Sequence, residues 1–509
     1  MSETSKTGTF FGVGLIMLAI GVFMSWESPI QLNNLRSRVN QPIFPEFTDP
    51  LVAASVKIVT FDDGQGTFKN FEVRRNQESG SWSITSHKGY PADAVEQMQN
   101  AANVFIQKDV QEEFNVEPSQ HAEYGVVEPK EATYKVGDKG IGRMVTFKDK
   151  NQKTLASLIL GNRIVDNPQQ IYVRIPGQDP VYVLTLDDRP LSTNFQDWIE
   201  TDLLRLSSIG IEELEIRDYS TIPDPKLKRL VTSRSYEAII KRDVTRWKIQ
   251  QVRKFDPNNE QSEGMVLEDQ AGKEPSMTKL GNLLNALDDM RIVDVARKPD
   301  GVSDHLKSNK DLMSDDAVVT SIAQLGFYPQ PTVDDKLELL SANGELYVRM
   351  DDGVEYALRF GNIEGLTEQQ DESATDANGE KTTSLNRFLF VVADVDKSHF
   401  PLPELKPIPQ TLEDIGLGDK KEGDDAEKKE GDGAEDEELS DDEKQEYLDA
   451  AQEKVRKENQ RKLNERKDLM KVAERRVRNL TERFADWYYV IPESTYSMLK
   501  IKQQDLVKE

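Results

Sequence analysis

Cysteine is absent from the 509-residue chain, and histidine occurs four times, at His87, His121, His305 and His399. The first absence removes thiolate nucleophiles, disulfide scaffolds, iron–sulfur clusters and Cys-ligated zinc together. The second leaves no pair of histidines at a ligand-like spacing. Basic residues are in deficit: 65 Lys and Arg stand against 91 Asp and Glu, a formal charge of −26. Phosphate affinity comes mainly from clustered Lys and Arg, so nucleic acid is not the expected partner. No Walker sequence, Gly-x-Ser-x-Gly or His-Glu-x-x-His occurs. Ser497-Met498-Leu499-Lys500 has Ser-x-x-Lys spacing, but without the companion motifs of penicillin-binding enzymes. Gly137, Gly140 and Gly142 lie between strand candidates, lacking the helix start that a phosphate-binding loop needs. Carboxylate pairs such as Glu212/Glu213 carry no information in a chain with 91 acids, and His121 reads as a turn or surface residue rather than a base. No catalytic, cofactor-binding or metal-ligating residue is named, and the chain reads as non-enzymatic.

What is present begins with twenty uncharged residues, Thr7 to Trp26, between Lys6 and Glu27. At about 1.5 Å per residue they reach roughly 30 Å, the thickness of a hydrocarbon core. Trp26 stands at an interfacial position, and the stretch Ser25-Trp26-Glu27-Ser28-Pro29 offers no small-x-small cleavage pattern. An uncleaved single-pass anchor is therefore favoured over a signal peptide. A six-residue tail before it and a large body after it favour an N-terminus inside, with residues 27–509 exported.

The body reads as α+β: two related, mainly antiparallel β-rich lobes with packed helices, 27–190 and 191–410. In the first, strand candidates Val56–Val59, Phe71–Val73 and Trp82–Ile84 precede a helix over Ala92–Phe105; Met144–Phe147, Leu155–Leu160, Ile171–Ile175 and Val181–Leu186 follow it. In the second, Leu214–Ile216, Tyr236–Lys241 and Trp247–Ile249 precede a helix over Met277–Met290 with Leu280, Leu283, Leu284 and Leu287 on one face. Strand candidates Leu337–Leu340, Glu345–Met350, Tyr356–Phe360 and Phe388–Val392 complete the echo. Gly161-Asn162 reads as a turn, a second Gly-Asn pair follows a strand at Gly361-Asn362, and Thr193–Leu206 reads as a connecting helix. Residues 411–446 form an acidic linker expected to be disordered, since Gly418–Glu446 holds fifteen acids and five bases with almost nothing apolar. A charged helix over 447–485, free of Pro and Gly from Asp441, repeats Leu463, Met470, Val477 and Phe484 every seven residues. That narrow coiled-coil-like seam fits packing on the protein's own body. Residues 486–509 contain an aromatic strand, Trp487-Tyr488-Tyr489-Val490-Ile491, that returns to a sheet.

The segment Ile43–Pro50 followed by Val56–Val59 resembles a bacterial family of unknown function, DUF4340. So do Trp82-Ser83-Ile84, Tyr90–Ala94, Tyr124-Gly125-Val126, Leu160-Gly161-Asn162, Ile171–Arg174 and Val181–Val183. The second lobe, the acidic insertion and the ending Arg483–Ile491 resemble the longer planctomycete-type form. The resemblance implies one N-terminal anchor and association with ABC transport systems of the gliding-motility type. It supplies no catalytic residue. The expected role is an accessory or binding subunit whose partners are the membrane and ABC transporter subunits. The alternatives are a structural envelope or interaction protein and, behind it, a carboxylate-based hydrolase.

Overall fold

The structure, a computed structural model, describes residues 37–130, 134–226, 229–259, 262–298, 316–331, 337–368, 383–416 and 440–507. The chain divides between Ile199 and Glu200 into two compact units, each carrying one nine-stranded antiparallel sheet. The candidate anchor Thr7–Trp26 and most of the acidic linker lie outside the described residues, among which no helix is long and apolar enough to cross a membrane.

The first lobe runs β1 (Ser55–Asp62), β2 (Thr67–Arg75), β3 (Trp82–Ile84), β4 (Tyr90–Ala92), α1 (Val95–Asn103), β5 (Glu112–Phe114), β6 (Arg143–Lys148), β7 (Thr154–Ile164), β8 (Asn167–Arg174) and β9 (Val181–Thr185). Its strands lie in the order β4-β3-β2-β1-β6-β7-β8-β9-β5. Strand alternation supplies the core: Val56 and Ile58 are fully buried on either side of exposed Lys57. Helix α1 buries Met98, Ala101 and Ala102, the i, i+3, i+4 stripe of an amphipathic helix. Just past it, Phe105 meets Phe147 of β6 edge-on at 5.5 Å.

The second lobe contains β10 (Ile211–Asp224), β11 (Arg229–Asp243), β12 (Arg246–Lys254), β13 (Met265–Val266), α2 (Met277–Asp288) and β14 (Asp294–Arg297). Next come α3 (Asp316–Gln324) and the hairpin β15 (Phe327–Pro331) and β16 (Leu337–Ser341). The chain then continues through β17 (Glu345–Met350), β18 (Val354–Glu368), β19 (Thr383–Val395), α4 (Asp441–Phe484), β20 (Trp487–Pro492) and α5 (Glu493–Leu499). Its order, β13-β12-β11-β10-β17-β18-β19-β20-β14, reproduces the first sheet strand for strand. The lobes are therefore internal repeats. Two additions distinguish the second: the β15–β16 hairpin with α3, and everything between β19 and β20, where the first lobe needs only the turn between Arg174 and Val181.

The two Gly-Asn pairs do not make turns. Each lies inside a long strand, β7 or β18, at a register shift after Leu160 or Phe360. Asn162 donates its backbone N–H to Tyr124 O (2.9 Å) and its side-chain Nδ2 to Glu123 O (3.2 Å). Asn362 repeats this on Leu325 O (2.8 Å) and Gln324 O (3.0 Å). The glycine beside each asparagine is required because the crossing chain passes where a Cβ would stand, over Tyr124 O and Leu325 O respectively. A turn signal in sequence is here a bulge that clamps a crossing loop.

The connecting helix expected over Thr193–Leu206 is also replaced. Only Phe195–Trp198 forms a short 3-10 turn, capped by Asn194. From Ile199 the backbone is extended, with Ile292 N donating to Thr201 O and Leu203 N donating to Met290 O. Strand-like pairing satisfies this backbone, and Phe195, Trp198 and Leu203 are buried without a helical stripe.

Helix α4 is 44 residues long and starts with a capping box in which Ser440 and Glu443 satisfy each other's backbone N–H groups. Its C-terminal part buries Ala473, Val477, Leu480 and Phe484. At the end, Lys298 Nζ donates to Phe484 O at 2.9 Å, placing a cation on the negative end of the helix dipole. β20 then enters the sheet between β19 and β14.

Candidate functional site

With the two sheets in the same order, their cross-strand registers can be compared residue by residue. In the first lobe, Val59 of β1 pairs with Met144 of β6, and Met144 with Ile159 of β7. In the second, Arg217 of β10 pairs with Glu345 of β17, and Glu345 with Arg359 of β18. Ile159 and Arg359 each stand two residues before a Gly-Asn bulge, so the rows are equivalent. An apolar row has become an ionic one. The next row on the same face changes from Lys57–Thr146–Ser157 to Glu215–Tyr347–Ala357, and the one beyond from Ser55–Lys148–Thr154 to Glu213–Arg349–Glu355.

The centre of this face is the Glu345 carboxylate. Its side chain is 3% exposed and that of Arg359 4%, with Arg359 Nε 3.1 Å from Glu345 Oε1. Tyr219 OH donates to Glu345 Oε1 (2.7 Å) and Tyr347 OH to Oε2 (2.8 Å). Arg359 also donates from Nε to Leu339 O of β16 (3.0 Å) and from Nη2 to Tyr347 OH (3.2 Å). Its Nη1 has no hydrogen-bond partner among the described residues. Arg217 stacks over the Tyr347 ring at 4.5 Å and pairs with Glu215 at 2.6 Å. Arg349 gathers Glu213, Glu215 (3.0 Å) and Glu355 (2.6 Å). Burial, then the Glu345 charge, raises the pKa of both Tyr219 and Tyr347, so both phenols stay protonated and act as donors. Four acids (Glu213, Glu215, Glu345 and Glu355) face Arg217, Arg349, Arg359 and Lys241, which joins Glu213 at 3.4 Å.

This face holds no nucleophile–base pair, and no group of three or more metal-ligating side chains occurs among the described residues. What it offers is oriented donors and acceptors. Further along β18, Glu364 Oε2 is buried without a hydrogen-bond partner among the described residues. Burial, assisted by Asp294, pushes its pKa up to about 7 from an ordinary 4.5. A raised carboxyl pKa means that stability from Glu364 is full below about pH 4.5 and is lost as pH rises through about 7. Glu364→Gln should therefore raise the melting temperature at pH 8 while leaving it nearly unchanged at pH 5. An equal shift at both pH values would remove Glu364 as a titrating group.

The residues weighed from sequence are scattered. Ser497 Oγ donates to Glu493 O of its own helix, whereas Lys500 pairs with Asp218 at 3.1 Å. His121 lies in a turn, as expected, but is buried rather than on the surface, with its ring Nε2 2.9 Å from Asp179 O. Glu212 approaches His399 at 3.6 Å, while its neighbour Glu213 joins the Arg349 cluster. The ionic row itself was not found from sequence. Its members are up to 142 positions apart, and only cross-strand register brings them together.

Residues 82–309 match the family described as a domain of unknown function, DUF4340. Over this stretch the chain is similar to DUF4340. The DUF4340 match begins at β3 and runs through β14, so it crosses the division between the lobes. It contains Glu213, Glu215, Arg217 and Lys241 but not Glu345, Arg349, Glu355 or Arg359, so the matched region holds half of the charged residues of this face. No curated protein and no solved structure matches the chain.

Proposed function

We propose that this protein is a non-enzymatic, membrane-anchored extracytoplasmic protein, an accessory or binding subunit of an ABC transport system of the gliding-motility type. The observation that carries the binding role is the ionic row. The two sheets share their order strand for strand, yet the row that is Val59–Met144–Ile159 in the first lobe is Arg217–Glu345–Arg359 in the second. Glu345 and Arg359 are themselves buried, with Arg359 bonded to Leu339 O of β16, so the part of the row a partner can reach is its part-exposed flank, Arg217 and Arg349 with Glu213 and Glu215. The twenty uncharged residues Thr7–Trp26 support the anchor, and the transporter association is what the sequence resemblance described above implies. Affinity purification of the tagged full chain from gently solubilised native membranes should recover the ATPase and permease subunits of one ABC transporter. Their consistent absence under conditions that preserve the transporter would overturn the association.

A further inference from the structure

Between the second sheet and the start of α4, residues 401–410 read Pro-Leu-Pro-Glu-Leu-Lys-Pro-Ile-Pro-Gln and belong to no helix or strand. The four prolines fix their own φ, and each restricts the residue before it to extended conformations. Side chains of α4 hold this segment by its backbone. Arg466 Nε donates to Phe400 O (2.9 Å) and Pro401 O (3.1 Å), Lys462 Nζ to Glu404 O (2.9 Å), and Gln452 Nε2 to Pro409 O (2.9 Å). Asn459 makes a two-point contact with one residue, donating from Nδ2 to Lys406 O (2.8 Å) and accepting from Lys406 N (2.9 Å). From Arg466 back to Gln452 the helix covers about 21 Å while the segment advances nine residues. That is roughly 2.3 Å each, well above helical rise. The segment therefore runs extended and antiparallel to α4.

Holding the backbone on the helix side leaves the leucines outward: Leu402 is 76% exposed and Leu405 48%, with Ile408 half-buried. Residues 402, 405 and 408 are spaced by three, and exposure decreases along them from Leu402 to Ile408. We infer that residues 401–410 are a displayed linear motif, whose partner is a protein with a groove lined by aromatic side chains that accepts an extended proline-leucine segment. Such grooves recognise chains that are already extended, because little conformational freedom is then lost on docking. Helix α4 pays that ordering cost in advance, acting as a backing on which the motif is held open.

The inference goes beyond the proposed transporter association, because it names a surface and its partner's chemistry whichever system supplies that partner. The test places the photo-crosslinker p-benzoylphenylalanine at position 402 or 405 of the full chain in native membranes. Positions Lys457 and Arg461, each two residues from Asn459 and so on the far side of α4, serve as controls. Illumination should give one discrete protein product from 402 and 405 and none from 457 or 461, with the crosslink mapping to an aromatic-lined groove. A synthetic peptide of residues 399–411 should compete it away, and Leu405→Asp in the chain labelled at 402 should reduce its yield about tenfold, the factor expected from one leucine lost to a groove. Both leucines are exposed, so the helical circular dichroism of the variant should be unchanged. No product, a lipid adduct only, equal products from 457 and 461, or indifference to the peptide would overturn the inference. A product that passes every test but is not a transporter subunit would keep the inference and leave the transporter association to its own purification test.

Discussion

Glu345→Met alone should destabilise the second lobe by about 3–5 kcal/mol, since it leaves Arg359 charged, buried and without its carboxylate. Arg359→Ile alone should cost a similar amount by stranding Glu345. The double variant Glu345→Met/Arg359→Ile should recover most of that loss and lie within about 1–2 kcal/mol of the parent, or above it. The first lobe gives the reason. Met144 and Ile159 occupy the two equivalent positions of the first sheet and pack there without charge, Ile159 being fully buried. The unpartnered Nη1 of Arg359 adds to the argument, because a donor without an acceptor weighs against the ionic version. Tyr347 OH loses acceptor Oε2 in the double variant, which sets the lower end of the range, whereas Tyr219 OH still reaches Ser341. Urea titration of the four proteins closes the cycle. Additive losses, with the double variant the least stable of all, would show that the row cannot be exchanged for its apolar counterpart.

Gly161→Ala and Gly361→Ala should each destabilise their own lobe by about 3–4 kcal/mol. An added Cβ would collide with Tyr124 O in one case and Leu325 O in the other, and neither oxygen can retreat freely. Each is held by the backbone N–H of the adjoining asparagine, so yielding also breaks that hydrogen bond. Neither glycine needs a left-handed backbone; the penalty is the close crossing of two chains. Gly281→Ala in α2 is the control of opposite sign. A Cβ there meets nothing within 4 Å, and alanine should stabilise the helix by about 0.5–1 kcal/mol. Thermal denaturation of the three variants distinguishes crowding from a general intolerance of substitution at glycine.

The two lobes were legible as a repeat because strand alternation and the Trp-x-Ile strands Trp82–Ile84 and Trp247–Ile249 recur in the same order around one helix. Helix α4 was legible because 44 residues without Pro or Gly, with apolar residues repeating every seven, have few other outcomes. Its position was not, since nothing local shows that β19 and β20 are neighbours with that helix inserted between them. Gly161-Asn162 and Gly361-Asn362 misled for a physical reason: the same residue types serve a tight turn and a crowded bulge, and only the crossing chain tells them apart. Thr193–Leu206 misled because its apolar residues have helical spacing but are buried by an extended chain paired with residues 290–292. The ionic row was hidden twice, by distance along the chain and by dilution among 91 acidic residues.

Whether the second lobe's ionic row serves recognition or folding is decided by recovering transporter subunits with the full-length Glu345→Met/Arg359→Ile variant from native membranes, beside the parent chain at equal abundance. A variant as stable as the parent that no longer brings down the subunits is the expected result. Undiminished recovery would contradict it and return Arg217, Glu345 and Arg359 to a purely structural role.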